Sequence, residues 1–357
     1  MQESLSARSG GKVAALTVTI DPASLVMGAD IGQEVFEEHV LDLVDLSQSV
    51  RDKWMVTLII ANLLEILAED GLLPLRDVLE ERMRRAGVTA VGSRDLEQVI
   101  YSLLDRSAVL EDAILVSAVL SDDLVIDPVS AVTYPTPAMV VARTLTLELL
   151  ALGVAHKCRL TADFLALGSA HYAVSVVGVL DSFEPIHDSC LLTPGAFAAS
   201  LTVHSSLSSL RLGCCTTDLL RDMVDDSQVR AAVGLEAYRL LSADHPVAWT
   251  DVPEVRFGAS FKESLRNVGA LTAPSLARRI LVAAAEVVCQ TSLRKTHALR
   301  TNSSGGAPSL KAGAWSGFRH DVDHEVHLHY WRGVDGRVEL AAAVLHNDFN
   351  IPSPSEP

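Results

Sequence analysis

The tightest local constraint lies near the end of the chain, in the stretch WSGFRHDVDHEVHLHYWRGVDGRVELAAAVLHNDF, Trp315 to Phe349. Residues 319 to 331 alternate in polarity, Gly333-Val334-Asp335-Gly336 breaks the pattern, and 337 to 345 is apolar and β-branched. Asp-Gly between two such runs is a strong hairpin signal, because its central positions need positive φ. With Asp335-Gly336 as a two-residue turn, Val334 faces Arg337 and paired residue numbers sum to 671. Glu325 then faces His346, His327 faces Val344 and His329 faces Ala342. Strand side chains alternate between faces, so Glu325, His327, His329, Trp331 and His346 share one face.

A carboxylate among imidazoles on one face admits three chemistries. Glu and His suit a general base and a general acid near neutral pH, the pair that RNA cleavage needs; Glu325, His327 and His346 are the candidate catalytic residues. His327 and His329 also point the same way, so they could hold a metal with His346 or Glu325 as a third ligand. The third alternative is structural, with histidines and acids satisfying one another. No metal or cofactor is carried forward as an expectation. The pattern holds a conflict: Val338, Leu340, Ala342 and Val344 fall on the histidine face, while Val322, Val326, Leu328 and Tyr330 fall on the other. The strand pair is therefore expected to be buried on both sides.

Length and composition set the frame. A chain of 357 residues that is 49% hydrophobic builds one large domain or two. The net charge of -16 is uneven: residues 1–254 hold 17 Lys+Arg and 36 Asp+Glu, whereas 255–357 hold 12 and 9, with six of the 12 histidines. An acidic body disfavours broad nucleic-acid contact, but the last hundred residues could touch a phosphate backbone. The five cysteines form no CxxC pair, which fits a reducing compartment, and Cys214-Cys215 are expected to be buried. The N-terminal sequence MQESLSARSGGK lacks an apolar signal core, and the most apolar helix candidate, Met55 to Ala68, is too short to span a bilayer. A cytoplasmic location without membrane contact is expected.

The expected fold class is α+β. Residues 1–11 are a flexible tail, 12–245 an acidic, mainly helical domain with short strands, and 254–357 a separate α+β module. In the first part, Val13–Ile20 reads as a strand, and helices are expected over 30–44, 51–69, 74–86 (stopped by Gly87), 93–106 and 138–152. Two short strands flank Ser121-Asp122-Asp123, and a hairpin is expected over 159–180 about Gly168-Ser169. The run 200–213 is ambiguous, and helices follow over 217–224 and 227–242. The two prolines of 243–253 mark the domain boundary. Beyond it come a strand over 254–261, helices over 262–267 and 274–290, a flexible polar loop over 301–307, a further strand around 308–312 and the hairpin.

This β-α-α-β-β layout resembles the RelE/ParE toxin superfamily of bacterial toxin–antitoxin modules. The residues that carry the resemblance are the opening VRFGASFKESL, the long helix followed by THALR (296–300), Arg319 at a strand start, and the closing VHLHYW, Asp-Gly and VELAAAVLHND. The resemblance covers about 100 residues, 254–357. It implies a small sheet packed on two helices and ribosome-dependent mRNA cleavage, with Arg300, Arg319 and Arg332 as RNA contacts and His346 at the position after the last strand. Asn347 stands where such toxins often carry Arg, and His327 where many carry Arg, so the implied RNA surface is less positive here. A fainter resemblance, to the metal-binding aspartates of class III nucleotide cyclases, rests on Asp21 after a strand, Asp122 in the Ser-Asp-Asp turn, and His156-Lys157-Cys158-Arg159.

These features lead to the expectation of a non-catalytic interaction or scaffold subunit of a bacterial assembly, with a protein partner. The alternative is a RelE-like effector that cleaves or binds RNA or the ribosome through 254–357. A cyclase-like enzyme is the minor alternative.

Overall fold

The computed structural model describes residues 16–27, 32–89, 91–158, 160–168, 171–221, 226–245, 247–291, 293–300, 308–346 and 348–355. The expected tail over 1–11, the loop over 301–307, Arg159 and Asn347 lie outside them. The fold is mixed α and β, and the described residues divide into two compact units, one over 16–214 and one from Cys215 onward. The division falls ahead of the proline-containing stretch 243–253. The helix over 226–241 packs on that over 274–288, so its core belongs with the chain that follows it.

The N-terminal unit runs β1 (Leu16–Ile20), α1 (Pro22–Val26), α2 (Gln33–Arg51), β2 (Met55–Ile59), α3 (Leu63–Glu69), α4 (Arg76–Ala86), α5 (Ser93–Arg106), β3 (Ala108–Val109), α6 (Leu110–Ile114), β4 (Val116–Asp127), α7 (Pro137–Ala155), β5 (Asp163–Leu165), β6 (Tyr172–Pro185), β7 (Gly195–His204) and α8 (Leu207–Gly213). Seven strands form one sheet in the order β3-β2-β1-β5-β7-β6-β4. The β3 to β7 part is parallel, and β6 and β4 continue it antiparallel. A sheet of this size is more than the short strands expected of a mainly helical region.

Met55–Ile59 was expected inside a helix, yet MVTLI is a strand with parallel neighbours on both sides. Such strands are short continuous apolar runs and lack the alternation that marks a half-exposed strand. The hairpin expected over 159–180 is absent, because β7 lies between β5 and β6 and pairs with both. The two strands expected around Asp122 are one twelve-residue strand, β4, paired with β6 through register shifts. Where helical periodicity was strong it held. In α2, Phe36, His39, Val40, Leu43, Leu46 and Val50 are buried at three- and four-residue spacing, and α5 packs Leu96, Ile100 and Leu103 toward it. Gly87 ends α4 at φ 75°.

The C-terminal unit runs α9 (Thr216–Arg221), α10 (Asp226–Leu241), β8 (Arg256–Phe257), α11 (Phe261–Asn267), α12 (Pro274–Val288), β9 (Thr296–Ala298), β10 (Lys311–Ala312), β11 (Trp315–Asp321), β12 (Val326–Gly333) and β13 (Val338–Leu345). Its sheet order is β10-β11-β12-β13-β8, with β9 on β11 and β8 parallel to β13. The alternating stretch 319–331 is two strands. Asp323 turns the chain between them by accepting from the N–H groups of Glu325 and Val326 at 2.8 and 2.9 Å. This side-chain turn needs neither Gly nor Pro, so composition does not announce it.

The second hairpin closes with three residues. Gly333 N–H donates to Arg337 at 2.9 Å, Gly336 N–H donates to Gly333 at 3.1 Å, and Gly336 sits at φ 84°. Next to this turn Arg332 pairs with Val338. Beyond a bulge that leaves Ala341 extra on β13, His329 pairs with Ala342, His327 with Val344 and Val326 with Leu345. The longer turn and the bulge each shift the register by one, in opposite senses, so the pairing expected for His327 and His329 is the one found. The bulge also removes half of the conflict in the pattern, since Ala342 and Val344 stay buried on the histidine face. It moves Leu340 and Val338 onto the face of Tyr330 and Leu328, which packs toward α11 and α12 and forms the core.

Candidate functional site

The outer face of the C-terminal sheet carries the polar cluster. Cross-strand pairs put Arg319 beside His329 and His297, and Asp321 beside His327. His327 Nε2 lies 3.0 Å from His346 Nδ1 and 3.4 Å from Asp321 Oδ1, and His297 Nε2 lies 3.4 Å from Asp321 Oδ2. His327 is buried, whereas His346 and His297 are exposed. Burial pulls the His327 pKa down, and the Arg319, His346 and His329 charges act the same way against Asp321. His327 Nε2 faces both His346 Nδ1 and Asp321 Oδ1, and its Nδ1 is buried with no hydrogen-bond partner among the described residues, so this neutral imidazole can orient the exposed His346 but is no through-relay for a proton.

Segment 348–355 covers the other half of this face. His329 Nδ1 donates to the Asn350 carbonyl at 2.9 Å and Trp331 Nε1 to the Pro352 carbonyl at 2.7 Å, while Glu339 accepts from Ser355 N–H at 2.9 Å. Ile351 packs on the cluster of Trp315, Trp331 and Ala341. His329 is fully buried, its pKa lowered by desolvation, and its Nε2 has no hydrogen-bond partner among the described residues. Its role is to hold this segment in place.

Of the expected catalytic residues, His327 and His346 come together and Glu325 stands apart. The Glu325 carboxylate is exposed, 3.6 Å from His324, and only its backbone carbonyl meets His346, accepting the N–H at 2.8 Å. Asp321 supplies the carboxylate instead. Only the β11–β12 register reveals Asp321, and the turn that sets this register is a side-chain turn. The three arginines do not form one surface. Arg319 is on the outer face. Arg332 lies on the inner one, over the Phe318 ring at 5.1 Å, and Arg300 is exposed on the bridge to Ser309. Among the described residues no group of three or more His, Cys, Asp and Glu is placed to hold a metal ion. An open cleft of 370 Å³ between β8, the end of α12 and the 335–337 turn has its acids paired internally, Glu254 with Arg256 and Asp335 with Arg337.

In the N-terminal unit Asp21 lies at the carboxyl end of β1, where the neighbours β2 and β5 diverge. In open parallel sheets such a point is a crevice that takes ligands. Here the crevice is filled by protein. Arg143 from α7, 2% exposed, pairs with the equally buried Asp21, bonds the Tyr134 hydroxyl and donates to the Tyr172 hydroxyl at 2.9 Å. Asp122 is four strands away on β4, roughly 19 Å at 4.8 Å per strand, so Asp21 and Asp122 cannot share a metal ion. Of the vicinal cysteines Cys214 is buried, but Cys215 is exposed.

The same unit presents a second surface. In β6, Val174, Val176 and Leu180 face inward on the side that packs against α7, while Val177 and Val179 are exposed. Val125, Val177 and Ala198 form a row across β4, β6 and β7, and Asp122, Val179 and Ala196 form the next. Asp127, Asp181 and Glu184 occupy further exposed positions on β4 and β6. Between Arg106 and Arg143, and between Arg159 and Arg211, the sequence has no Lys or Arg, so these strands contribute carboxylates and no basic side chain. That gap in basic residues was legible and is the signal that sequence reasoning passed over. Among the described residues one helix, Pro137–Ala155, is long and apolar enough to cross a membrane, and it is mostly buried in the fold.

Compared with known proteins, the chain matches no family model, no curated protein and no solved structure.

Proposed function

We propose that the chain is a non-catalytic interaction subunit of a cytoplasmic bacterial assembly, which docks a basic, partly apolar protein partner on the outer face of β4, β6 and β7. One observation carries the reading: an exposed apolar row, Val125-Val177-Ala198, set among the carboxylates of strands that hold no Lys or Arg of their own. Exposed apolar patches ringed by charge mark interaction sites, and the sign of the ring selects the partner. Docking uses the face of the sheet and not its edge. Asp123 at φ 51° and the register shift between Asp122 and Val125 break the β4 edge against strand addition. The C-terminal unit, with β8-α11-α12 ahead of an antiparallel sheet and β8 parallel to β13, supports the RelE/ParE resemblance as its fold. The test is capture of partners from the native cell with the wild type and with Val177→Asp/Ala198→Asp. Loss of a salt-sensitive, basic partner from the variant is the expected result, and identical partner sets would refute the reading.

A second reading, RNA contact, is favoured by Arg319 among His297, His327 and His346 on an open face. It assigns His346 the proton transfer, His327 and Asp321 its support, and Arg319 the phosphate. Ribosome-associated mRNA cleavage by the whole chain, abolished by His346→Ala and Asp321→Asn but not by Glu325→Gln, distinguishes it. Cleavage lost with Glu325→Gln and kept with Asp321→Asn would rule out this site.

A further inference from the structure

The segment that covers Trp331 is held through its main chain. His329 and Trp331 donate to the carbonyls of Asn350 and Pro352, two residues apart, and the Glu339 carboxylate takes the Ser355 N–H. Between these contacts only Ile351 joins the apolar cluster and only Pro354 is buried, while Ser353 and Ser355 are exposed. The segment Asn350-Ile351-Pro352-Ser353-Pro354-Ser355 has no helix or strand of its own. An indole N–H aimed at a carbonyl beside proline, with an aromatic and aliphatic floor, is the chemistry by which proteins bind extended proline-containing peptides. The groove therefore reads a backbone pattern together with two apolar side chains, and a peptide from another chain can present the same pattern.

We propose that the face made by His329, Trp331 and Glu339 is a recognition groove for extended peptides of the pattern apolar-Pro-x-Pro-x, and that residues 350–355 are its displaceable occupant in cis. This site is on the C-terminal unit and is independent of the acid-rimmed face proposed above. The occupant is tethered by the few residues after β13, so it competes at a local concentration on the order of millimolar, and a partner peptide binds well only when it is released. Release has a built-in handle. Ser355 Oγ lies 3.2 Å from Glu339 Oε1, and a negative charge placed on residue 355 meets that buried carboxylate.

The test uses the full chain and a fluorescent peptide with the sequence of residues 349–357. Ser355→Glu is expected to shift the Trp331 indole N–H resonance and to raise affinity for the probe at least ten-fold over wild type, while Ser355→Ala leaves both near wild type. Adding Trp331→Phe to Ser355→Glu should remove the gain. Release of the segment without tighter probe binding overturns the proposal, and so does an indole resonance that Ser355→Glu leaves in place. Hydrogen exchange on the wild type guards against a variant that fails to fold. The Ser355 amide and the Trp331 indole should exchange well before the β12 amides, and exchange of all of them together would show a fixed part of the fold.

Discussion

Replacing Arg143 by Met tests whether the crevice at the end of β1 is structural. The substitution removes the partner of a carboxylate that is 1% exposed and two hydrogen bonds to tyrosine hydroxyls. What remains for Asp21 is the Ala23 N–H at 3.1 Å and the Tyr134 hydroxyl at 3.4 Å. Breaking a buried pair from one side costs about 3–5 kcal/mol, because a charge stays behind in a poor solvent. Burial already pushes the Asp21 carboxyl above its usual range, and Arg143 is the largest influence opposing that rise. Without it the carboxyl holds its proton to higher pH in the folded state than in the unfolded state. Folding then binds a proton, so the variant loses stability as pH rises from the unfolded value near 3.8 through the raised folded value. The deficit should be small near pH 4 and reach about 4 kcal/mol at pH 8.

Trp54 is the one tryptophan among residues 16–214, so urea unfolding followed by the 19F signal of fluorotryptophan at Trp54 isolates this unit. Asp21→Asn/Arg143→Met should recover most of the loss, since the amide still accepts from Ala23 and no charge remains. A deficit below about 1 kcal/mol at pH 8, or one equal at pH 5 and pH 8, would show that Asp21 reaches water and that the crevice is open to a ligand.

Asp42→Asn should stabilise the chain at alkaline pH. Burial pushes Asp42 to about 7, so its contribution is present below the unfolded value of 3.8 and lost as pH rises through 7. After allowing for partial exposure the variant gains about 2 kcal/mol at pH 8 and nothing near pH 4, measured by urea titration. His39 behaves in the opposite sense. Burial lowers it to about 4, so its contribution is whole above 6.5 and is lost as pH falls toward 4. His39→Gln, which can still donate to the Ser24 carbonyl, should flatten that acid limb by up to about 3 kcal/mol, and an unchanged limb would refute the assignment. Gly336→Ala places a Cβ at φ 84° and should cost about 1 kcal/mol in thermal unfolding of the C-terminal unit, with no cost if the turn rearranges to two residues.

Legibility followed the range of each signal. Helices whose apolar residues repeat every three or four positions, such as Gln33–Arg51 and Ser93–Arg106, were visible because the pattern lies within one element. Strands inside the parallel sheet were hidden, since a segment such as Met55–Ile59 is buried on both faces and has no period to show. The candidate site was half legible. His327 and His346 could be paired from one hairpin, but Asp321 and His297 reach the cluster from β11 and β9, and nothing local specifies those registers. Glu325 was singled out because it precedes His327 by two residues. The turn at Asp323 turns it outward, and spacing along a strand cannot reveal where the strand begins.

The expected register at His327 was right for a reason the sequence did not supply. A three-residue turn alone would move every β13 partner by one and carry the histidines opposite residues of the core face. The extra residue Ala341 restores the register. Trp331 and Glu339 on the turn side of the bulge and His329 on the far side all hold segment 348–355, and His327 and His346 stand beyond them at the open end. Deleting Ala341 therefore straightens the ladder without moving a partner, since Tyr330 still meets Leu340 and His329 still meets Ala342; the Trp331 indole bond and the His327–His346 contact should survive the deletion, and their loss would show that the bulge itself shapes the face.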